Sequence, residues 1–335
     1  MHVSDREISV IVQGPVVGSP AGPQAGHITR ECLASVRRHW PGAELVLSTW
    51  RGSDLSDLGF DVLVESEDPG SLPYDVAQGV PNNVNRQLVT TKAGLAASSR
   101  RYVLKIRSDM QMQHDGLLRY FDAFPARSDW SFVGKKVIGS TTFARIPGLI
   151  WHLPYHPGDL FFFGEREDMR RIWDIPLASE RDVSMGVPKL PHGVNIHGML
   201  NMVRCAPEQY IWLSFLRKYV DVLPASHWDR TAESIAGTEK SFASNLILVS
   251  PEQAGLVSLK FQRPASIVEW AVKYGSCYTH TIWKQLYFKY CLDRPRTVYA
   301  VGWGRAYLAK SIYIARRMVG PGSLRAKVSR GVRNV

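Results

Sequence analysis

The chain has 335 residues, of which 45% are hydrophobic and 21% charged, a composition typical of a globular protein with a substantial core. Four scattered cysteines without a CxxC pair argue against a disulfide framework or a zinc site and favour a reducing compartment. No signal-peptide hydrophobic region opens the chain, and no run of about 18 apolar residues predicts a membrane-spanning helix.

The positive charge is concentrated at the carboxyl end. The formal net charge of the chain is +11. Residues 281–335 contain 12 Lys or Arg and one Asp, whereas the rest of the chain contains 29 basic and 29 acidic residues. The body is therefore neutral, and only the tail is expected to meet a negatively charged partner.

The first 110 residues alternate predicted strands with predicted helices. Apolar, β-favouring runs predict strands at 8–12, 43–48, 60–64 and 102–106, and helical spacing with capping residues predicts helices at 29–40 and 84–97. That alternation predicts an α/β fold with a doubly wound, mostly parallel sheet.

Each predicted strand in this half is followed by polar or glycine-rich residues. They are Gln13, Gly14 and Pro15, then Thr49, Trp50 and Arg51, then Asp68, and finally Arg107, Ser108 and Asp109. Because parallel strands end at one edge of the sheet, we expect these residues to line one ligand cleft. For Asp109 taken alone, a turn or a helix N-cap is the commoner role.

The second half is less regular. The pattern predicts a short helix over 115–124, strand pieces at 132–134 and 136–138, a buried strand over 159–164, helices over 165–173 and from Pro207 onward, and a loop over 176–197. Residues 225–261 show no clear period.

Aromatic and basic residues are interleaved from Ile267 onward, and residues 306–318 can form an amphipathic helix. Such a segment suits the headgroup region of an anionic bilayer. A solvated basic tail is the alternative. Nucleic acid is disfavoured as a partner because no known binding module is recognisable.

No Walker loop, GxGxxG, GxSxG or HExxH motif is present, which argues against P-loop kinases, standard dinucleotide enzymes, lipase-like hydrolases and zincins. The spacing of His152, His156, His192 and His197 is irregular, so loop or core positions are expected for them rather than a metal site.

Short segments in a fixed order carry a family likeness. They are ISVIVQGP at 8–15, LSTWRG at 47–52, DPG at 68–70, NRQ at 85–87, LKIRSD at 104–109, PGDLFFFG at 157–164 and PEQYIW at 207–212. Together they resemble the WavE lipopolysaccharide-synthesis family over roughly residues 8–215. The resemblance implies a glycosyltransferase fold of the GT-A type and a role in bacterial surface polysaccharide assembly.

Enzymes of the GT-A type hold a divalent cation, Mg²⁺ or Mn²⁺, against the diphosphate of a sugar nucleotide with an Asp-x-Asp signature. In this chain Asp109 would be the metal ligand, but Gln111 stands in the second place and leaves the signature incomplete. Arg107 or Arg86 could supply the positive charge instead.

The positions of the candidate residues at predicted strand ends and helix starts indicate their roles. Those expected to bind the nucleotide sugar are Gln13, Gly14, Pro15, Thr49, Trp50, Arg51, Asn85, Arg86, Gln87, Arg107 and Asp109. Inverting transfer also needs a general base, for which Asp159 and Glu208 are the candidates. The competing roles are structural: a turn or cap for Asp159, a helix-dipole partner for Glu208, core packing for Trp50 and a surface ion pair for Arg86.

The expected organisation is a nucleotide-binding half (1–125), an acceptor and catalytic half of the same GT-A-like domain (126–220), and a basic, α-rich extension (221–335) that contacts an anionic membrane through 281–335. The expected function is sugar transfer from a nucleotide-diphosphate donor to a glycan or lipid-linked glycan acceptor in lipopolysaccharide or surface polysaccharide synthesis. The expected location is cytoplasmic and peripheral at the inner membrane. The alternatives are a nucleotidyl- or phosphotransferase on a similar sheet and a non-catalytic component of a polysaccharide assembly complex.

Overall fold

A computed structural model describes residues 3–18, 27–75, 80–149, 153–184, 204–259 and 266–294, together with 304, 307–312 and 315. The described strands are β1 (Ile8–Gln13), β2 (Glu44–Trp50), β3 (Val62–Ser66), β4 (Leu72–Asp75), β5 (Val80–Asn82), β6 (Tyr102–Arg107), β7 (Met110–Met112), β8 (Val137–Ser140), β9 (Gly158–Glu165), β10 (Leu246–Val249) and β11 (Leu256–Ser258). The described helices are α1 (His27–His39), α2 (Val84–Ala97), α3 (Arg166–Trp173), α4 (Glu180–Val183), α5 (Pro207–Leu216), α6 (Ala232–Asn245), α7 (Pro251–Ala254), α8 (Ile267–Tyr274) and α9 (His280–Cys291).

A central sheet of seven strands has the order β10-β8-β9-β6-β1-β2-β3. All of its strands run in one direction except β9, which lies antiparallel between β6 and β8. Two smaller antiparallel pairs, β7 with β11 and β4 with β5, stand apart from it. The α/β fold with a mostly parallel sheet is therefore confirmed.

The middle of the sheet is buried on both faces. Every residue of β1 is buried, and so is every residue of β6 except Arg107 at its end, as their nearly continuous apolar runs predict. Helix α2 covers one face at very close range. A Cβ added to Gly94 of α2 would stand 2.4 Å from a methyl of Ile11 on β1, so only glycine permits this approach.

The predicted helix over 115–124 is wrong, since only Leu118–Tyr120 forms a 3-10 turn. The predicted strand piece at 132–134 is also wrong. Its backbone amides donate to side chains instead of to a neighbouring strand: those of Phe132 and Val133 reach Asn245 Oδ1, and that of Gly134 reaches Asp168 Oδ1. Side-chain acceptors satisfy this backbone, so it needs no strand partner.

The sequence-based boundary at residue 220 cuts through the central sheet. Strand β10 comes from Leu246–Val249 and pairs with β8, and helix α6 before it packs against α9. Trp283 of α9 is fully buried and donates its indole N–H to the carbonyl of Phe242 at 3.1 Å. The first part of the basic, aromatic tail is thus core structure.

The amphipathic helix expected over 306–318 falls only partly in the described residues, where 307–312 are helical. Tyr307 and Leu308 are exposed there, while Ala309 is buried. In the described part of the chain, no helix combines the length and apolar character needed to cross a bilayer.

Candidate functional site

Polar side chains from several elements converge where β1, β2 and β6 end and the antiparallel β9 begins. Gln13 at the end of β1 is in register with Arg107 at the end of β6, and Ser48 near the end of β2 lies on its other side. Asp159 enters at the same edge because β9 runs in the opposite direction. This edge of the sheet is where open α/β folds bind their ligands.

Arg107 and Asp109 form a two-point ion pair across the end of β6. Arg107 Nε donates to Asp109 Oδ1 at 3.0 Å, and its Nη2 donates to Oδ2 at 2.7 Å. The Asp109 side chain is 6% exposed and the Arg107 side chain 23%. Asp109 lies in the turn between β6 and β7, and not at a helix N-cap, but it is a buried turn residue whose two oxygens are held by the guanidinium.

Asp159 is fixed from two sides. Its Oδ2 accepts a hydrogen bond of 2.8 Å from Gln87 Nε2 on α2, and its backbone carbonyl accepts one of 2.7 Å from Lys105 Nζ on β6. The Lys105 ammonium also lies 5.1 Å from the ring centre of Trp173. These contacts bring two of the candidates, Asp159 and Gln87, together, and they add Lys105.

Lys105 is fully buried, and burial lowers its pKa to about 8 despite the nearby carboxylates of Asp159, Glu208 and Asp109. Arg107 faces the same acids: burial alone would lower its pKa, but Asp159 and the bonded Asp109 outweigh burial and raise it. Two cations and three carboxylates therefore interact with one another at this edge of the sheet. A lysine in the middle of a buried strand was the sequence signal that could have singled out Lys105.

Glu208 lies in the first turn of α5 and pairs with His156 in the loop before β9. Their Oε2 and Nε2 atoms are 3.2 Å apart. Burial alone would raise the pKa of Glu208, but His156, and Arg145 more weakly, hold it below its ordinary value. His156 is 6% exposed, and its Nδ1 is buried without a hydrogen-bond partner. His152, His192 and His197 lie outside the described residues.

The loop after β1 uses its polar groups to hold itself in place. Gln13 Oε1 accepts from the Thr90 hydroxyl at 2.8 Å, and the carbonyl of Pro15 accepts from the Ser108 hydroxyl at 2.6 Å. Gly14 has φ of +115°, a conformation that favours glycine, and its amide donates to the Ser48 carbonyl. These contacts fix the conformation of the loop, which borders the site at the end of β6.

The remaining predicted residues lie at the periphery of the site. Arg51 pairs with Glu67, Thr49 bonds Ser53, and Trp50 is half-buried at the end of β2. Asn85 exchanges two hydrogen bonds with the backbone of Ala178, at 2.9 Å and 2.8 Å, and so anchors a loop. Arg86 is held by Asp68 through two hydrogen bonds of 2.8 Å and 2.7 Å.

The residues at the end of β6 do not fit a preformed metal site. Both oxygens of Asp109 accept from Arg107, and Gln111 lies on β7 in register with Val257. Among the described residues, no group of three or more His, Cys, Asp or Glu side chains is arranged to hold a metal ion. The positive charge present at this edge comes from Arg107 and Lys105.

The family model described as "WavE lipopolysaccharide synthesis" matches residues 8–318, nearly the whole chain. The chain belongs to the WavE family. The match extends the likeness seen in the sequence past residue 215 and includes the part of the tail that forms α9. Membership connects the protein with lipopolysaccharide synthesis.

Among solved structures, a cytidylyltransferase from Leptospira borgpetersenii serovar Hardjo-bovis is similar to this WavE-family chain, with 13% identity and a TM-score of 0.30. The similarity covers 51% of this chain and 66% of the other, just under two thirds of its length. At that score it carries no argument about activity. A sequence comparison with curated proteins finds no significant match.

Proposed function

We propose that the protein is a glycosyltransferase of GT-A-like fold that moves a sugar from a nucleotide-diphosphate donor to a glycan acceptor in lipopolysaccharide or surface polysaccharide synthesis. The observation that carries the proposal is the placement of Asp159 beside Arg107 at the carboxyl edge of the sheet, with Lys105 beneath them. A carboxylate and a guanidinium at one ligand edge are the base and the anion stabiliser that sugar transfer needs. Membership of the WavE family also supports a role in lipopolysaccharide synthesis.

In this reaction the acceptor hydroxyl attacks the anomeric carbon while the bond from that carbon to the diphosphate oxygen breaks. The electron pair of the broken bond leaves with the nucleoside diphosphate, whose charge Arg107 stabilises. The hydroxyl proton goes to Asp159. Asp159 is favoured over Glu208 as the base because Glu208 is already committed to His156, whereas Asp159 is half-exposed and held in position by Gln87.

Arg107 has five N–H donors, of which two are directed to Asp109. In this proposal Asp109 orients the guanidinium toward the diphosphate, and Arg107 supplies the positive charge that a metal ion would otherwise supply. Activity measured with EDTA and with added Mn²⁺ tests this role. A strict requirement for the cation would contradict it.

The test of the function is a binding and turnover screen with the full chain against sugar nucleotides. The expected result is binding of one donor class and release of nucleoside diphosphate. Asp159→Asn should lower turnover at least 100-fold while donor binding persists, because only the proton acceptor is lost. Pyrophosphate release from a nucleoside triphosphate would favour a nucleotidyltransferase, and unchanged turnover in the variant would refute Asp159 as the base.

Membrane contact through the basic tail is part of the proposal. Because Trp283 and Tyr287 of α9 are buried, a cut at residue 281 would damage the core. Removing 316–335 instead takes away six Lys or Arg residues and leaves α9 intact. Flotation with anionic vesicles should decrease after this truncation, while neutral vesicles should bind neither protein. Equal flotation of both proteins would contradict the role of the tail.

A further inference from the structure

A large groove opens beside the charged edge of the sheet. Its volume is about 910 Å³, and its walls are the residues that follow β7, β8 and β10, helix α7, strand β11, helix α8 and the start of α9. Ser258 in its wall is in register with Met110, which directly follows Asp109, and the backbone N–H of Leu259 donates to the carbonyl of Asp109 at 2.8 Å. The groove therefore lies next to the end of β6, and its size is in the upper part of the range for ligand sites, about 300–1,000 Å³.

The groove differs in charge from the edge next to it. Apart from Glu252 and His280, the described side chains of its wall are aromatic, aliphatic or neutral polar, and they include neither Lys nor Arg. Glu252 is the acidic member among them. A diphosphate would find no cation on these described walls, whereas Arg107 and Lys105 stand at the end of β6. The two neighbouring sites are thus suited to different chemical groups.

The wall of the groove contains both aromatic rings and hydroxyl groups. Trp270 and Tyr274 lie one turn apart on α8, and the Tyr274 ring is stacked on Phe143 at a centroid distance of 5.7 Å and an angle of 27°. Thr142, which follows β8, and Ser250, which follows β10, also line the groove. Flat rings cover the apolar faces of a sugar, while hydroxyl and amide groups bind its hydroxyls.

We propose that this groove is the acceptor subsite and that it binds uncharged sugar residues of the acceptor glycan. The inference rests on the proposed transferase function and adds the substrate class to it. The described wall of the groove contributes aromatic surface and hydrogen-bonding groups, which suit uncharged sugars better than phosphorylated ones. The volume leaves room for more than one sugar residue.

The experiment uses the full chain and measures binding by saturation-transfer NMR and titration. The probes are neutral oligosaccharides of two to four hexose residues and the same oligosaccharides carrying one phosphate. The neutral series should bind, and the phosphorylated series should bind at least tenfold more weakly. Thr281→Lys, at an exposed position of the wall, should reduce this discrimination because it adds the missing cation.

Trp270 provides the residue-level test. Trp270→Ala should weaken binding of the neutral series about tenfold, and Trp270→Phe should restore most of it. The matched control is Tyr307→Ala, which removes an exposed aromatic side chain elsewhere in the carboxyl-terminal region and should leave binding unchanged. Binding of the sugar nucleotide should be the same in all of these variants.

Three outcomes would overturn the acceptor subsite: no neutral glycan binds to the wild type, the phosphorylated series binds better, or Trp270→Ala has no effect. Failure of the proposed transferase function would have a different signature. In that case no sugar nucleotide would bind or turn over, whatever the behaviour of the glycans.

Discussion

The guanidinium of Arg107 holds both carboxylate oxygens of Asp109, two residues further along the chain, at 3.0 Å and 2.7 Å. The pair lies at the ligand edge of the sheet, where Asp109 is almost completely buried. A buried carboxylate needs a partner in the folded state, and here the partner is the group proposed to bind the donor diphosphate. Stability and function are therefore coupled at these two residues.

Arg107→Met is expected to destabilise the protein by about 3–5 kcal/mol, because it leaves the Asp109 carboxylate buried and unpaired. The double variant Arg107→Met/Asp109→Leu should regain most of that loss, since the Asp109 carboxylate is then no longer left buried without its partner. Both variants should be inactive. Urea unfolding gives the free energies, and donor turnover gives the activity.

Arg51→Met is the matched control for the Arg107 variant. Arg51 also follows a strand of the same sheet, but its ion pair with Glu67 is largely exposed. Its loss should change the free energy of unfolding by less than about 0.5 kcal/mol. If Arg107→Met costs no more than Arg51→Met, the Asp109 carboxylate is not in the dry environment described above.

Gln87→Glu tests Asp159 as the general base. The substitution replaces the amide that donates to Asp159 Oδ2 at 2.8 Å with a second carboxylate. Two carboxylates at that distance share a proton, so one of them becomes protonated at a higher pH than a single carboxylate would. The acidic limb of the kcat/KM profile should shift upward by about one pH unit or more. Gln87→Met removes the hydrogen bond but adds no charge, so it should shift the limb in the same direction by less, and a shift in neither variant would argue against Asp159.

Short local patterns were enough to predict the strands and the helix that carry the site before residue 110. Strands at 8–12 and 102–106 and the helix over 84–97 depend on nearby apolar spacing and caps, and the structure has them as β1, β6 and α2. The partnership of Asp159 with Lys105 could not be predicted in this way. It arises because β9 inserts antiparallel between β6 and β8, a pairing between distant segments that leaves no local signal.

Two segments were not predicted correctly from the sequence, and each error has a physical cause. Strand β10 begins at Leu246 immediately after α6 ends at Asn245, so no turn residue marks it in the sequence. In α9, Lys284 and Lys289 fall among aromatic residues and give the segment the look of a membrane-surface helix. Its buried residues, Ile282, Trp283, Leu286 and Tyr287, nevertheless share one face and pack into the core.

Glu208→Gln is expected to lower stability at neutral pH by about 1–3 kcal/mol, because it removes the charged partner of His156. The pKa of Glu208 is held below its ordinary value of 4.5, so its contribution is present above that pH. It is lost as the pH falls through the lower, folded-state value. The difference between wild type and variant should therefore vanish in acid.

Urea unfolding between pH 2.5 and 7 measures the effect of Glu208→Gln. The matched control is Glu167→Gln, which changes a glutamate in the first turn of α3 whose side chain is 66% exposed. That control should differ from wild type by less than about 0.5 kcal/mol throughout. A Glu208 difference that is constant from neutral pH into acid would contradict the pairing with His156.

Lys105→Met is expected to reveal the cost of burying an ammonium group beneath the site. The pKa of Lys105 is lowered by burial to about 8 from its ordinary 10.5, so the unfolded chain binds this proton more tightly than the folded one. Below pH 8 the full penalty, about 3 kcal/mol at roughly 1.4 kcal/mol per pKa unit, opposes folding, and it disappears as the pH rises toward 10.5. The free energy of unfolding of the wild type should therefore rise relative to that of Lys105→Met between these two values. Taking the difference between the two proteins cancels the contribution of the other groups that titrate in this range.

Lys240→Met is the matched control. This half-exposed lysine also lies near a tryptophan ring, 5.7 Å from the ring centre of Trp130. The difference in unfolding free energy between Lys240→Met and the wild type should therefore not change with pH. Parallel curves for wild type and Lys105→Met would show that Lys105 is not buried in its charged form, and the positioning of Asp159 by its ammonium would then have to be abandoned.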